Sequence, residues 1–346
     1  MKSKDFIKSF SLILLSIVII YLGFICYVDP QLTAPLSLSH KFQNYHDNVL
    51  LRKADLIASG NFDTVIIGSS TSEAFSVAEV NHYFDAKTFH ASIGGGSAIA
   101  RHMLFKKALK HFKPLKRVIY IADFFEFNKL ATPETLSFNQ SLKEEVPAKM
   151  LLPKFDYFKY LFSHQLLESS FLVIGRKGKG YVSPIKRDGT TSTSMILSTV
   201  ETENAINAKI KSSNIKKLNE EIDENYFTYA NNVLLGFAEL NPNVKELYRE
   251  MAKLSKDNNV ELIMIMSPYH QNFKTKLLKN MNIQKRYEEW QQFLMQLSQD
   301  FGINLYNTLA LNVATDPDSG VWRDGIHFNQ FTASYFLANI ATMKKK

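Results

Sequence analysis

The chain has 346 residues, 45% of them apolar and 21% charged, with a single cysteine. That length suits one large domain or two small ones, and the composition excludes a disordered chain, a multi-span membrane protein, an internal disulfide and a cysteine-rich zinc module. The formal charge of +8 does not argue for nucleic acid, because Lys2, Lys4 and Lys8 against Asp5 give +2 and Lys344, Lys345 and Lys346 give +3, leaving only +3 between them.

In chain order, a basic tail of residues 1–8 precedes 20 uncharged residues, 9–28, which include Leu12, Ile13, Leu14, Leu15, Ile17, Val18, Ile19 and Ile20. A helix of 20 residues spans roughly 30 Å, the thickness of a bilayer's hydrocarbon core. Tyr21 and Tyr27 suit its outer interface, and Asp29-Pro30 ends it. With the lysines in front, the positive-inside rule predicts a cytoplasmic N-terminus. The expected localisation is single-pass in the cell membrane, with the lipid bilayer as a partner and the main domain periplasmic or extracellular. A cleaved signal peptide is the alternative, but the apolar run exceeds the ~7–15 residues of such a segment and no small-x-small site follows. Cys26 follows the bulky Phe24-Ile25, unlike a lipidation signal. The exported part would contain no thiol.

Residues 29–60 read as a polar connector with a short helix around Asn48 to Ile57. Strands and helices then alternate. The predicted strands are Thr64–Ile67, Thr88–Ile93, Arg117–Ala122, Val260–Met266 and Ile303–Tyr306. Predicted helices are Ser97–Phe112, Val244–Lys256, Gln284–Gln299 and about Gln330–Met343. This pattern predicts a parallel sheet covered on both faces, with function beyond the carboxyl ends of its strands. Aromatic-rich and then polar sequence breaks the alternation over 123–240. An insertion at about 128–240 within a domain of 61–346 accounts for it, as a lid or partner surface; a second domain is the alternative.

Two motifs stand directly at strand ends and a third stands before the last helix. After the first strand comes Gly68-Ser69-Ser70, where a serine in a tight turn can present its hydroxyl beside backbone N–H groups. The same serines would equally serve as a helix N-cap. After the second strand, Gly94-Gly95-Gly96 permits close approach and offers unobstructed N–H donors, or simply makes a flexible start to a helix. Before the last helix, Asp324-Gly-Ile-His327 sets a carboxylate three residues ahead of a histidine. Such a pair fixes the ring tautomer and frees the other nitrogen as a base, unless Asp324 only turns the chain. Serine is a weak nucleophile without a base and an oxyanion holder, and these three motifs supply a candidate for each need.

Metal binding is not indicated, since His90, His102 and His111 lack matching carboxylate spacing. The triple glycine lacks the dinucleotide spacing. No metal or organic cofactor is expected, and no nucleic acid.

On these residues the chain resembles the SGNH (GDSL-type) hydrolase superfamily. Val65-Ile-Ile-Gly-Ser-Ser70 is similar to its first block, which makes Ser70 the implied nucleophile. His90-Ala-Ser-Ile-Gly-Gly95 is similar to the second, which makes Gly95 an oxyanion donor with the Ser70 N–H. Asp324-x-x-His327 is similar to the last, completing the triad. Ser69 stands where the family has aspartate, His90 where it has asparagine, and the third-block Gly-x-Asn-Asp is missing, with Asp123-Phe-Phe-Glu-Phe127 in its place. This pattern is more similar to a membrane-anchored envelope branch, comprising alginate O-acetylation proteins and DltD-like proteins. In that branch a Pro-x-His loop lies near the site, so Ser267-Pro-Tyr-His270 makes His270 a candidate substrate contact, or else an ordinary loop histidine. Asp123 and Glu126 are further candidates for holding a sugar hydroxyl, or simply start a helix.

The resemblance implies a flavodoxin-like three-layer α/β/α domain behind one transmembrane helix. It also implies a serine acyltransferase or acylesterase acting on a cell-envelope or secreted polysaccharide, partnered by a membrane-bound acyl-donor protein. A non-catalytic binding or assembly subunit is the alternative, and an esterase for lipid or peptide esters is a third.

Overall fold

The computed structural model describes residues 3–28, 49–128, 161–177, 185–191, 215–308 and 322–343. Most of the expected connector and the 129–160, 178–184 and 192–214 parts of the expected insertion lie outside them, as does the basic tail at 344–346. The chain divides into two compact units, Met1–Asp55 with Glu134–Pro184, and Leu56–Pro133 with Ile185–Lys346.

In the first unit, α1 (Ser3–Val28) is one helix of 26 residues, long and apolar enough to cross a membrane. Nothing in Lys4–Lys8 breaks a helix, so α1 takes in most of the expected tail. Phe6, Ile7, Phe10 and Leu12–Leu15 are all exposed. A single stripe at helical spacing is covered: Ile25 packs with Leu161 and Leu166, and Val28 with Val173. The latter two partners, Leu166 and Val173, belong to α5 (His164–Lys177). Helix α2 (Val49–Ser59) follows in sequence.

The second unit is a mixed α/β fold around a parallel five-stranded sheet. Its strands are β1 (Thr64–Ile67), β2 (Thr88–His90), β3 (Arg117–Ala122), β4 (Glu261–Met266) and β5 (Asn304–Tyr306), in the order β2-β1-β3-β4-β5. That is the doubly wound order whose switch point falls beside β1. The register pairs Ile66 with His90 and Ile119, and Ile119 with Ile263. Strands β1, β3 and β4 are β-branched or apolar runs buried on both faces, which is why their sequence reads as continuous rather than alternating. Strand β2 stops at His90, short of the predicted Ile93, although Ala91 and Ile93 still donate their N–H groups to Ile66 O at 2.8 Å and Gly68 O at 3.0 Å.

Helices cover both faces. On one, Ile66, Ile119, Ile121, Ile263 and Ile265 pack with Val80 of α3 (Val77–Phe84) and with Phe336, Leu337 and Ile340 of α10 (Gln330–Met343). Each such side chain, fully buried, contributes about 1.5–3 kcal/mol. The other face carries α4 (Ala98–His111), α7 (Pro242–Asp257) and α9 (Met281–Phe301), with Tyr120 of β3 against Tyr248 of α7 at 5.2 Å. The local signals for these helices are clear. Ser97 caps α4, Pro242 opens α7 behind the Asn241 cap, and Gly302 closes α9 in the left-handed region. Two short helices escape the sequence reading: α3, and α8 (Gln271–Leu278). Within the expected insertion the described residues include α5, α6 (Ile215–Thr228) and a π-helical turn, Tyr229–Val233.

Candidate active site

The carboxyl end of β1 makes the first part of the site. Chain direction changes at Gly68, where an added Cβ would lie 2.5 Å from Ser72 Oγ and 2.6 Å from Ser72 Cβ. Only glycine allows that approach. A short 3-10 helix, Ser70–Ala74, follows at once, capped by Ser69, whose Oγ accepts the Thr71 N–H at 3.2 Å. Ser72 Oγ reaches both Ser69 O and Ser92 Oγ at 2.5 Å. Thr71 Oγ1 donates to Asp123 Oδ1 at 2.9 Å. Its three neighbouring hydroxyls are thus committed to protein, while Ser70 points elsewhere.

Ser70 Oγ lies 2.7 Å from His327 Nε2, and His327 Nδ1 lies 2.7 Å from Asp324 Oδ2. The other carboxylate oxygen, Asp324 Oδ1, accepts the N–H groups of Ile326 and His327, each at 2.8 Å. Burial alone would raise the Asp324 carboxyl, but the imidazole and these two N–H groups outweigh it and hold its pKa below the ordinary value. An ionised Asp324 requires the proton on Nδ1, which leaves Nε2 free to accept from the serine hydroxyl. The loop itself is pinned by a bridge between Trp322 and Phe328, by Arg323 N–H to His327 O at 2.9 Å, and by His270 N–H to Gly325 O at 3.0 Å.

Ser70 and Gly95 line the same cavity, of about 360 Å³, with Arg101, Asp123, Glu126 and Tyr229. Gly95 sits at its rim in the left-handed region, φ +64°. The cavity floor is a buried charged cluster. Arg101 Nη1 meets Glu126 Oε2 at 2.7 Å and Asp123 Oδ2 at 3.3 Å, and Nη2 donates to Gly96 O at 2.8 Å. Glu126 also accepts from Tyr120 at 3.3 Å, from the Asp123 N–H at 3.2 Å, and from the Tyr248 hydroxyl. Burial pushes the Glu126 carboxyl up to about 7, against the pull of Arg101 and with a push from Asp123. For Arg101, burial would lower the pKa, but Glu126, Tyr120 and Asp123 reverse that and raise it. Among the described residues, no group of three His, Cys, Asp or Glu side chains is placed to hold a metal ion.

No protein-family model matches the chain, and no curated protein matches it either.

The structure therefore brings Ser70, Asp324, His327 and Gly95 to one sheet edge. Asp123 and Glu126 lie in the cavity floor, but their oxygens already hold Thr71, Arg101 and the tyrosines. Instead of extending into the cavity, His270 is buried. Its Nδ1 accepts the Asn272 N–H at 3.1 Å, capping α8, and its ring packs 5.6 Å from Trp322. It braces the loop that carries His327 and does not line the cavity.

The sequence does not single out Arg101, Tyr229 or Asn232 for the site, though all three line the cavity. Arg101 falls within the predicted helix Ser97–Phe112, yet a cation in the first turn of α4 opposes the helix dipole, a signal that something else holds it. Tyr229 and Asn232 come from the insertion, whose polar sequence carries no such signal.

Proposed function

We propose that the chain is a membrane-anchored serine acyltransferase or acylesterase of the SGNH type, acting on O-acyl groups of a cell-envelope or secreted polysaccharide. The unbroken relay from Asp324 through His327 to Ser70, with 2.7 Å at each step, carries this reading. Ser70 Oγ attacks the acyl carbonyl while its proton passes to His327 Nε2. The carbonyl electron pair moves onto oxygen beside the N–H groups of Ser70 and Gly95. The pair returns as the bond to the leaving oxygen breaks, and His327 hands that oxygen its proton. An acceptor hydroxyl, or water, then repeats the sequence in reverse and releases Ser70. Asp324 orients the ring and balances the imidazolium.

Helix α1 supports the anchored arrangement, with the bilayer as its partner and the catalytic unit on the outer side. A membrane-bound protein that delivers acyl groups completes the scheme, by analogy with the resembling systems.

A second reading, a non-catalytic binding or assembly subunit, draws on one observation: Asp123, not an asparagine, follows β3. A serine-directed fluorophosphonate probe separates the two. Labelling that is lost in Ser70→Ala and weakened in His327→Ala is the expected result. A folded protein that takes no label rejects catalysis.

A further inference from the structure

A helix in lipid turns apolar side chains outward and satisfies its polar groups within the protein. Helix α1 does both. Leu12, Ile13, Leu14 and Leu15 are exposed, and the Ser16 hydroxyl donates to Leu12 O of its own helix at 2.9 Å. Helix α5, in the same unit, shares these features along one flank. Phe171 is 60% exposed and Ile174 40%, while the buried Ser170 hydroxyl donates to Leu166 O at 2.8 Å. In water such side chains close onto a core, as Val244, Leu247 and Met251 of α7 do.

Contacts with α1 set the depth of α5. The Tyr21 ring stacks on Phe162 at 5.3 Å, and its hydroxyl donates to Leu161 O at 2.8 Å. Phe24 meets Phe171 at 5.3 Å, and Val28 packs on Val173. The two helices therefore run side by side, in the same direction, over the last two turns of α1. Tyr21 stands seven residues before the end of α1, roughly 10 Å along its axis. With α1 across a bilayer, the start of α5 lies within the outer leaflet and its end comes level with the end of α1. Leu167, Phe171 and Ile174, at i, i+4 and i+7, then prolong the apolar surface of α1. The adjoining edge of α5 carries His164 and Glu168, 4.0 Å apart, and further on Arg176, side chains that reach towards headgroups.

We propose that α5 is a second membrane element, an interfacial helix whose Leu167, Phe171 and Ile174 flank is immersed in the acyl chains of the outer leaflet beside α1. This rests on the anchored reading above and deepens it: the chain holds the membrane by one spanning helix and one interfacial helix. The His164–Lys177 part of the insertion thus faces lipid rather than polymer.

The test is fluorescence quenching on the full chain in phosphatidylcholine–phosphatidylglycerol vesicles. Cys26→Ser removes the native thiol, and a bimane dye is attached in turn at Phe171→Cys, Ile174→Cys and Leu14→Cys. Ile174→Cys keeps the Phe24–Phe171 contact, so the two α5 positions guard against local rearrangement. Both α5 labels should dim at least about 2-fold when the acyl chains carry bromine, because an interfacial helix buries its apolar face about 5–10 Å deep. Iodide in the water should leave them nearly unchanged. Dimming by iodide at both α5 positions, with the Leu14 label dimmed by bromine, overturns the proposal and leaves the anchor standing. Resistance of the α5 labels to both quenchers means that a second copy of the chain covers the flank, and overturns it too. A Leu14 label dimmed by iodide and not by bromine overturns the anchored reading as well.

Discussion

Arg101 joins Glu126 at 2.7 Å while its second amino group holds the Gly96 carbonyl at 2.8 Å, so one buried guanidinium ties the end of β3 to the glycine turn. Through Asp123 and Thr71 the same cluster reaches the turn that carries Ser70. Three strand ends are thereby held in fixed relation beneath the cavity. Removing the cation leaves two buried carboxylates facing each other, a situation that typically costs about 3–5 kcal/mol. Arg101→Met should lower unfolding free energy by that order in a denaturant titration. Arg101→Lys keeps the charge but cannot fork to Glu126 and Gly96 together, so it should fold and lose activity more than stability. Wild-type stability in Arg101→Met contradicts the assignment.

Glu126 makes stability depend on pH. Its carboxyl rises from 4.5 to about 7 on folding, so the folded state holds the proton more tightly than the unfolded chain. Its contribution is full below the unfolded pKa and is lost as pH climbs through about 7. Two buried imidazoles run the other way: His102 falls from 6.5 to about 3, mainly by burial, and His270 is also lowered by burial. Both favour the folded state as pH rises through 6.5. The wild-type curve therefore mixes opposing slopes, and the informative quantity is the difference between wild type and Glu126→Gln. That difference should shift against the wild type between about pH 5 and pH 8, by at most roughly 3 kcal/mol. A difference independent of pH would falsify the assignment of a raised Glu126.

Gly68 sets where Ser70 points. A methyl group there would meet the Ser72 side chain at 2.5 and 2.6 Å, in a spot where Ser72 is already bonded to Ser69 O and Ser92 Oγ. The turn must shift to make room. Gly68→Ala should lower stability by about 1–3 kcal/mol through overpacking and reduce the rate of acylation by more than that loss explains. Thermal unfolding and fluorophosphonate labelling, measured side by side, separate the two effects.

Much of this arrangement is legible in residue order. Strands β1, β3 and β4 stand out because burial on both faces demands unbroken apolar runs. Ser70 and Gly95 stand out because each follows directly on the end of a predicted strand, and Asp324 and His327 because their spacing suits a tautomer-fixing pair. What stays hidden depends on distant partners. Arg101 acquires its meaning from Glu126, 25 positions away, and from Tyr248 beyond that. The Tyr229-Ala-Asn-Asn stretch falls in the insertion, whose sequence reads only as aromatic-rich and then polar, yet Tyr229 and Asn232 line the cavity. His270 shows the converse case. The Pro-x-His likeness offers it as a substrate contact or else an ordinary loop histidine, yet it is buried against Trp322 and caps α8.

Asp324→Asn tests the relay with little change in shape. In the wild type, Oδ1 accepts two backbone N–H groups at 2.8 Å, and Oδ2 accepts the proton on His327 Nδ1 at 2.7 Å. An asparagine keeps the first role with its carbonyl oxygen, so the loop should retain its fold. Its amide group then faces Nδ1 and can only donate, which drives the ring proton to Nε2. That nitrogen lies 2.7 Å from Ser70 Oγ and, once protonated, can no longer take the serine proton. The expected result is a fall in acylation rate of about 10⁴ at neutral pH, with melting temperature nearly unchanged. Acylation that survives within tenfold in Asp324→Asn would mean that His327 does not act as the base for Ser70, and the 2.7 Å contact would then be a structural hydrogen bond alone.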